Sequence, residues 1–319
     1  MTLQLILFSS LVYLPLALGA LVRHKGLLKR DISKPVMQST WLTLEPIVCV
    51  IAFWKLNLQQ LGDLAAAPVL GTAWMLAMLV PASIAATRLQ LTPIRRGNFL
   101  LAAMFSNNGI TLGAFICFVF FGIEGQALSM LFVLGFTPLL LTVGFHIGQR
   151  SARQGALAGS APADPPQLGM LRVVPYASMA AGIALNLAHV PQPAFCLDLN
   201  RVLVFLDVGI YSLAIGTLFD LASVRTFLRE CLVMSGLKFV ASPLIALALF
   251  IIASQVMHLS PLLLKVMVVQ CAMPVAIMSV VVSRFCQLDM GLSAGCWVFT
   301  TLAVIAVLPI ISAVIGLLG

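Results

Sequence analysis

The chain reads as an all-α integral membrane protein. The expected fold has ten transmembrane helices in two inverted five-helix repeats, with broken crossing helices in spans four and nine. Three observations predict this. First, 61% of the 319 residues are hydrophobic, only 9% are charged and the mean hydropathy is +1.10. A soluble domain carries roughly 25% charged residues. Second, apolar runs of membrane length, about 20 residues each, recur between short charged clusters. Third, two of these runs are interrupted at mid-depth, in matching places of the two halves. The interruptions are Ser106-Asn107-Asn108-Gly109 and Gln270-Cys271-Ala272-Met273-Pro274. Backbone in lipid must satisfy its own hydrogen bonds, so amides, Gly and Pro at that depth are costly unless they line a protein cavity. Paired interruptions in two half-repeats point to the binding site of a secondary transporter.

The spans follow from the apolar runs in order: 3–22, 37–54, 66–87, 98–121, 126–148, 170–189, 200–219, 229–255, 261–285 and 291–317. The first, Leu3 to Leu21, is taken as a span rather than a signal peptide. It lacks a basic leading region and a small-residue cleavage site, and it exceeds the usual apolar core of such a peptide. The expected organisation is a first repeat over 1–148, a cytoplasmic linker over 149–169 rich in Gly, Ala, Pro and Ser, and a second repeat over 170–319.

The net charge of +8 would suggest nucleic acid in a soluble chain. Here the basic residues occupy short loops and set topology. Alternate loops hold Arg23, Lys25, Lys29, Arg30, Lys34, Arg88, Arg95, Arg96, Arg150, Arg153, Arg172, Arg225, Arg229 and Arg284. The opposite loops hold Lys55, Arg201 and Lys265, a ratio of fourteen to three. The positive-inside rule places the rich set in the cytoplasm, so both termini are expected to face outward.

The halves match in order. Leu44-Glu45 corresponds to Leu206-Asp207 and Pro81 to Pro243, both at a separation of 162. Gly19 pairs with Gly182, Glu124 with Asp289, and the Asn-Gly break with the Met-Pro break. Five spans per half is an odd number, so the second repeat enters the membrane inverted, the arrangement that permits alternating access.

The candidate binding set is Asn107, Asn108, Gly109, Gln270, Met273 and Pro274. A mid-membrane Asn must bond to something, and Gly109 permits a non-helical φ. Pro274 suits the first position of a second half-helix, where its missing N–H costs nothing. Half-helix N-termini attract anions. The plainer alternatives are an Asn that glues two helices and a simple proline kink. Glu45 and Asp207, at matching repeat positions, are candidates for coupling or charge relay, because an intramembrane carboxylate is functional by default. Each could instead pair statically or stay at an interface. Lys238 is the one basic residue placed well inside a span. It could pair with a carboxylate, attract an anion or snorkel to the surface.

The seven cysteines lie mostly in apolar runs without CxxC spacing and read as small buried hydrophobes. His146 and His189 have no second ligand at helical spacing, so no metal site is expected. No phosphate-binding loop, nucleophile elbow or zinc-protease motif occurs. The chain is not expected to be an enzyme or to hold a cofactor.

These residues make the chain resemble the auxin efflux carrier family, whose bacterial members are organic-anion permeases of the malonate type. The fourth span supplies Phe105-Ser106-Asn107-Asn108-Gly109-Ile110-Thr111-Leu112-Gly113 and then Phe121-Gly122-Ile123-Glu124. The last two spans supply Met273-Pro274-Val275-Ala276-Ile277, Ser283-Arg284-Phe285, Asp289 and Thr300-Thr301-Leu302. Lys238 and Pro243 match a recurrent pair in the eighth span. The resemblance implies half-helices crossing at the substrate site and elevator-like transport of a small carboxylate. It implies a scaffold of spans one, two, six and seven, and a mobile unit of the others. The short central loop implies a bacterial inner-membrane protein. Two departures touch the substrate rather than the fold. Ala114-Phe115 stands where the family usually has a proline, and Met278 where it often has an asparagine.

The bile acid:sodium symporters share this architecture and give the alternative of sodium-coupled organic-anion uptake. Gln270 in place of a glutamate weakens that alternative, so coupling to H+ is expected ahead of Na+. A non-transporting membrane sensor on the same fold is the other alternative. The expected partners are the small anion and the bilayer, and the fold leaves room for a homodimer.

Overall fold

A computed structural model describes residues 2–26, 33–56, 61–109, 112–155, 170–218 and 221–317. The chain is helical, and among the described residues its only β pairing is the isolated bridge between Ser106 and Val275. Among the described residues, six helical stretches are long and apolar enough to cross a membrane: Pro35–Trp54, Gly62–Arg88, Gly113–Gly155, Phe195–Gly216, Leu228–Ser254 and Met290–Leu317. Ser10–His24, Val173–Leu187 and Pro261–Cys271 are shorter apolar helices. The expected ninth span is divided into two short helices, Pro261–Cys271 and Ile277–Phe285, because it is broken. Of the expected linker, Gln149 to Gly155 continues a helix, and the rest lies outside the described residues, as do Lys29, Arg30 and Gln59. The seven cysteines are buried thiols.

The chain divides into two compact units, each drawing on both halves of the sequence. Unit 1 holds Met1–Leu61, Gly109–Met130 and Leu168–Phe219. Unit 2 holds Gly62–Asn108, Leu131–Gln167 and Asp220–Gly319.

Unit 1 is built on α1 (Thr2–His24), α2 (Ser33–Trp54), α9 (Met170–Leu187) and α10 (Phe195–Gly216), with α1 packed on α10 and α2 packed on both α9 and α10. Glycine sets two of these crossings. A Cβ on Gly19 would stand 2.1 Å from the Leu213 carbonyl oxygen of α10, and one on Gly182 of α9 would stand 2.7 Å from the Val50 carbonyl oxygen of α2. The C-terminus of α2 is closed by Asn186, whose amide donates to the Phe53 and Leu56 carbonyls at 3.1 and 2.7 Å. Helix α6 (Gly113–Phe132) is interrupted at Gly122, where φ is 68° and ψ is −160°. That left-handed backbone favours glycine and breaks the chain where the fourth and fifth spans were expected to meet.

Unit 2 contains α3 (Leu61–Ala77), α4 (Leu79–Arg88), α5 (Pro93–Met104), α8 (Phe145–Gly155) and α11 to α16. The last six are Leu221–Thr226, Leu228–Gly236, Ser242–Ser254, Pro261–Cys271, Ile277–Phe285 and Met290–Leu317. The short helix α7 (Phe136–Leu139) runs into a π-helical stretch, Leu140–Gly144. A second π-helical stretch, Leu237–Ala241, joins α12 to α13. Ser260 caps α14 by accepting from Leu263 N–H at 3.1 Å, and Pro261 fills the first helical position. Ser260 is itself held by the buried Asp63 carboxylate, which accepts from its N–H at 2.9 Å and from its hydroxyl. Near the opposite end of α14–α15, Asp289 pairs with Arg95 at 3.0 Å, and the guanidinium lies over the Phe227 ring. Asn98 donates to the Asp289 carbonyl at 2.6 Å.

Candidate functional site

The two helix breaks meet inside unit 2. Helix α5 ends at Met104, and Phe105 turns extended with φ −101° and ψ 126°. Helix α14 ends at Cys271, and α15 begins only at Ile277, after an extended Ala276 with φ −72° and ψ 139°. The extended pieces run antiparallel. Asn107 N–H donates to the Pro274 carbonyl at 2.8 Å, and Ala276 N–H donates to the Phe105 carbonyl at 3.0 Å. Each break thereby supplies the backbone partners the other has lost, which lipid could not provide. The remaining groups turn to side chains. Val275 N–H donates to the Thr300 hydroxyl of α16 at 3.1 Å, and the Asn108 amide donates to the Gln270 carbonyl at 3.2 Å.

One helical face holds both breaks from behind. The π-helical stretch presents Lys238, and Ser242 follows four residues later. The Lys238 ammonium donates to the Ala103 carbonyl at 2.8 Å, the Phe105 carbonyl at 3.1 Å and the Ser106 hydroxyl at 2.7 Å. A cation there meets the negative pole of α5, where helix carbonyls lack partners. The Ser242 hydroxyl donates to the Cys271 carbonyl at the end of α14, and accepts from the Trp74 indole N–H at 3.0 Å. The other π-helical stretch borders the same break. Gly144 faces the Phe105 ring, which stacks edge-on against Phe136 at 5.1 Å.

Several expectations change in detail. Pro274 is not the first residue of the second half-helix. It lies in the extended piece, and the helix starts three residues later, because the backbone must first pair with Phe105 to Asn107. Gly109 has no positive φ, and a Cβ there would meet open space, so the backbone does not demand glycine. Of the roles open to Lys238, it neither reaches the surface nor pairs with a carboxylate among the described residues; its ammonium donates to the carbonyls of Ala103 and Phe105. Asn107 is half-buried, while Asn108, Gln270, Met273 and Pro274 are buried around the bridge. The amide nitrogen of Asn108 is fixed by the Gln270 carbonyl, and its Oδ1 has no hydrogen-bond partner among the described residues. Swapping the two atoms would set oxygen against oxygen, so the site presents a buried acceptor.

Ser242 and Thr300 were not picked out as site residues. The signal for Ser242 was available: a lone Lys with a Ser four residues on, in an apolar run, places two polar groups on one helix face.

Glu45 and Asp207 are brought together in unit 1, on the packed pair α2 and α10. Each lies in the other's electrostatic field. Asp207 is fully buried, and neither of its carboxylate oxygens has a hydrogen-bond partner among the described residues. Glu45 is half-buried, and the Tyr211 hydroxyl of α10 donates to the Met37 carbonyl at 3.1 Å.

No protein-family model matches the chain. Over 93% of its length it is similar to an uncharacterized transporter from Methanothermobacter thermautotrophicus. The identity is 22% across 311 residues, and the match spans 94% of that protein.

Proposed function

We propose that this protein is a membrane transporter, a secondary carrier of a small organic anion that works by elevator-like alternating access. The observation that carries the reading is the bridged pair of helix breaks in unit 2. Continuous helices would cost less, so broken ones held by Lys238, Ser242 and Thr300 argue for a site that needs open backbone. The long match to a protein named as a transporter supports the general class. The resemblance to auxin efflux carriers supports the finer one.

Two features favour an anion that also carries a donor. The Lys238 charge and the N-terminus of α15 give the break a positive field. The Asn108 Oδ1 suits a hydroxyl, an N–H or a protonated second carboxyl on the same molecule. A hydroxy- or dicarboxylate meets both demands.

The ten-span inverted repeat belongs to this proposal. It is supported by the glycine crossings, where Gly19 packs on α10 and its repeat partner Gly182 packs on α2. That exchange of partners is what a pseudo-two-fold axis produces. The positive-inside bias then places both termini outside. The alternation would move a unit made mainly of the later spans in each repeat.

The test is counterflow of malonate and related hydroxy- and dicarboxylates in proteoliposomes. Saturable exchange, lost or weakened in Asn108→Ala, is the expected result. Ligand-induced thermal stabilisation without exchange would instead identify a sensor on the carrier fold.

A further inference from the structure

We propose that Asp207 and Glu45 form a proton-binding site in unit 1, built on helices other than those that form the crossing, and that this site drives the carrier. The driving role rests on the carrier reading above. Proton binding does not.

Four observations carry it. Asp207 is 0% exposed and both its oxygens lack a donor among the described residues. A structural carboxylate at such depth is expected to be paired and bonded, and this one is not. A second carboxylate, Glu45 of the packed helix α2, acts on it electrostatically, and like charges repel until one member takes a proton. The Tyr211 hydroxyl has a single hydrogen, and it goes to the Met37 carbonyl. Spent there, it does not serve the Asp207 carboxylate one turn earlier on α10. The two acids also stand at equivalent places in the repeats, 162 residues apart.

Among the described residues, no basic side chain acts on either carboxylate. The other titratable groups that feel the pair are Cys49 from α2 and Tyr211 from α10. The described basic side chains of α1 and α10 are Arg23 and His24 in the last turn of α1 and the exposed Arg201, which pairs with Asp198. Hard metal cations take about six or more oxygen ligands. Among the described residues no group of three or more His, Cys, Asp or Glu side chains stands together to supply them, whereas a proton needs a single carboxylate oxygen. The same buried face of α10 carries Asn200, two turns before Asp207. Asn200 bonds Gln126 of α6 at 3.0 Å and keeps its Oδ1 without a partner among the described residues. That pair gives a proton a polar step along an otherwise apolar face.

The first experiment needs no substrate. Full-length protein in lipid nanodiscs is titrated with pH while the infrared band of protonated carboxyl groups is followed. Asp207→Asn is isosteric with the protonated acid and should fold; it should abolish a titrating band seen in the wild type. Glu45→Gln should shift the titration of that band. A band that is unchanged in both variants overturns the proposal. A band that sodium ions displace at constant pH overturns it in favour of a metal cation. The second experiment uses malonate uptake in proteoliposomes. Asp207→Asn should lose acceleration by an imposed pH gradient and keep counterflow, which needs no net proton movement. Gradient-driven uptake that persists in the variant overturns the driving role. If the wild type moves no malonate, the carrier reading is what fails in that form, and the infrared titration still decides proton binding.

Discussion

Lys238 and Asp207 are both fully buried ionisable residues in apolar helices, yet they are used in opposite ways. Lys238 spends three hydrogens on Ala103, Phe105 and Ser106. Asp207 has two oxygens and no donor for either among the described residues. Burying a charge is costly unless it is paired and hydrogen-bonded. The lysine meets that condition through helix carbonyls, and its cost is offset by the break it holds shut. The aspartate does not meet it. Depth alone therefore does not tell the two apart, whereas hydrogen-bond saturation does.

The largest expected effect breaks the saturated side. Lys238→Met removes the cation, leaves the Ala103 carbonyl and the Ser106 hydroxyl without this donor, and leaves the Phe105 carbonyl with the Ala276 N–H alone. Each buried acceptor left unsatisfied costs about 1–3 kcal/mol, and the hydrogen bonds lost here are to a charged group, the stronger kind. Poor yield of monodisperse protein and a large fall in melting temperature are expected. A fully stable Lys238→Met protein would mean that the clamp is dispensable.

Next comes the acceptor left open at the crossing. Asn108→Ala should weaken ligand binding by about 1.5–3 kcal/mol if the bond is to a charged group, or roughly 10- to 150-fold. Its melting temperature should fall much less than that of Lys238→Met. Equal affinity in binding titrations would remove Asn108 from the site.

Ser242→Ala tests the other half of the clamp. It strands the Trp74 indole N–H and the Cys271 carbonyl, at about 1–3 kcal/mol for a buried group left unsatisfied. The melting temperature should drop, with less loss than for Lys238→Met, and Ser242→Thr should recover part of it. Thermal unfolding of the three proteins checks the order.

The smallest effect is expected on the unsaturated side. Asp207→Asn removes no hydrogen bond that the described residues make. The melting temperature should therefore stay level or rise while proton coupling is lost. A loss of stability comparable to Lys238→Met would place both residues in the structural class and end the contrast.

The positions of the oddities were legible in the chain because they are local. Hydropathy marks a helix that lipid can solvate, and Asn, Gly, Pro, Asp or Lys inside such a run is visible without any partner. The breaks at Ser106 to Gly109 and Gln270 to Pro274, the acids at 45 and 207 and the lysine at 238 all follow from that. Helix limits follow from the same local signals, as Pro93 and the Ser260-Pro261 cap illustrate. The assignment of partners did not follow, because it depends on contacts between residues distant in the chain. Lys238 meets Ser106 across 132 residues, and Ser242 meets Trp74 across 168. Pro274 is extended rather than helical because its carbonyl is claimed by Asn107. Gly109 proved replaceable by backbone criteria, whereas Gly122 took the left-handed turn. By itself the sequence determined which residues lipid would not tolerate. Only tertiary packing decided which of them would find partners, because a hydrogen bond is a property of two groups brought within about 3 Å.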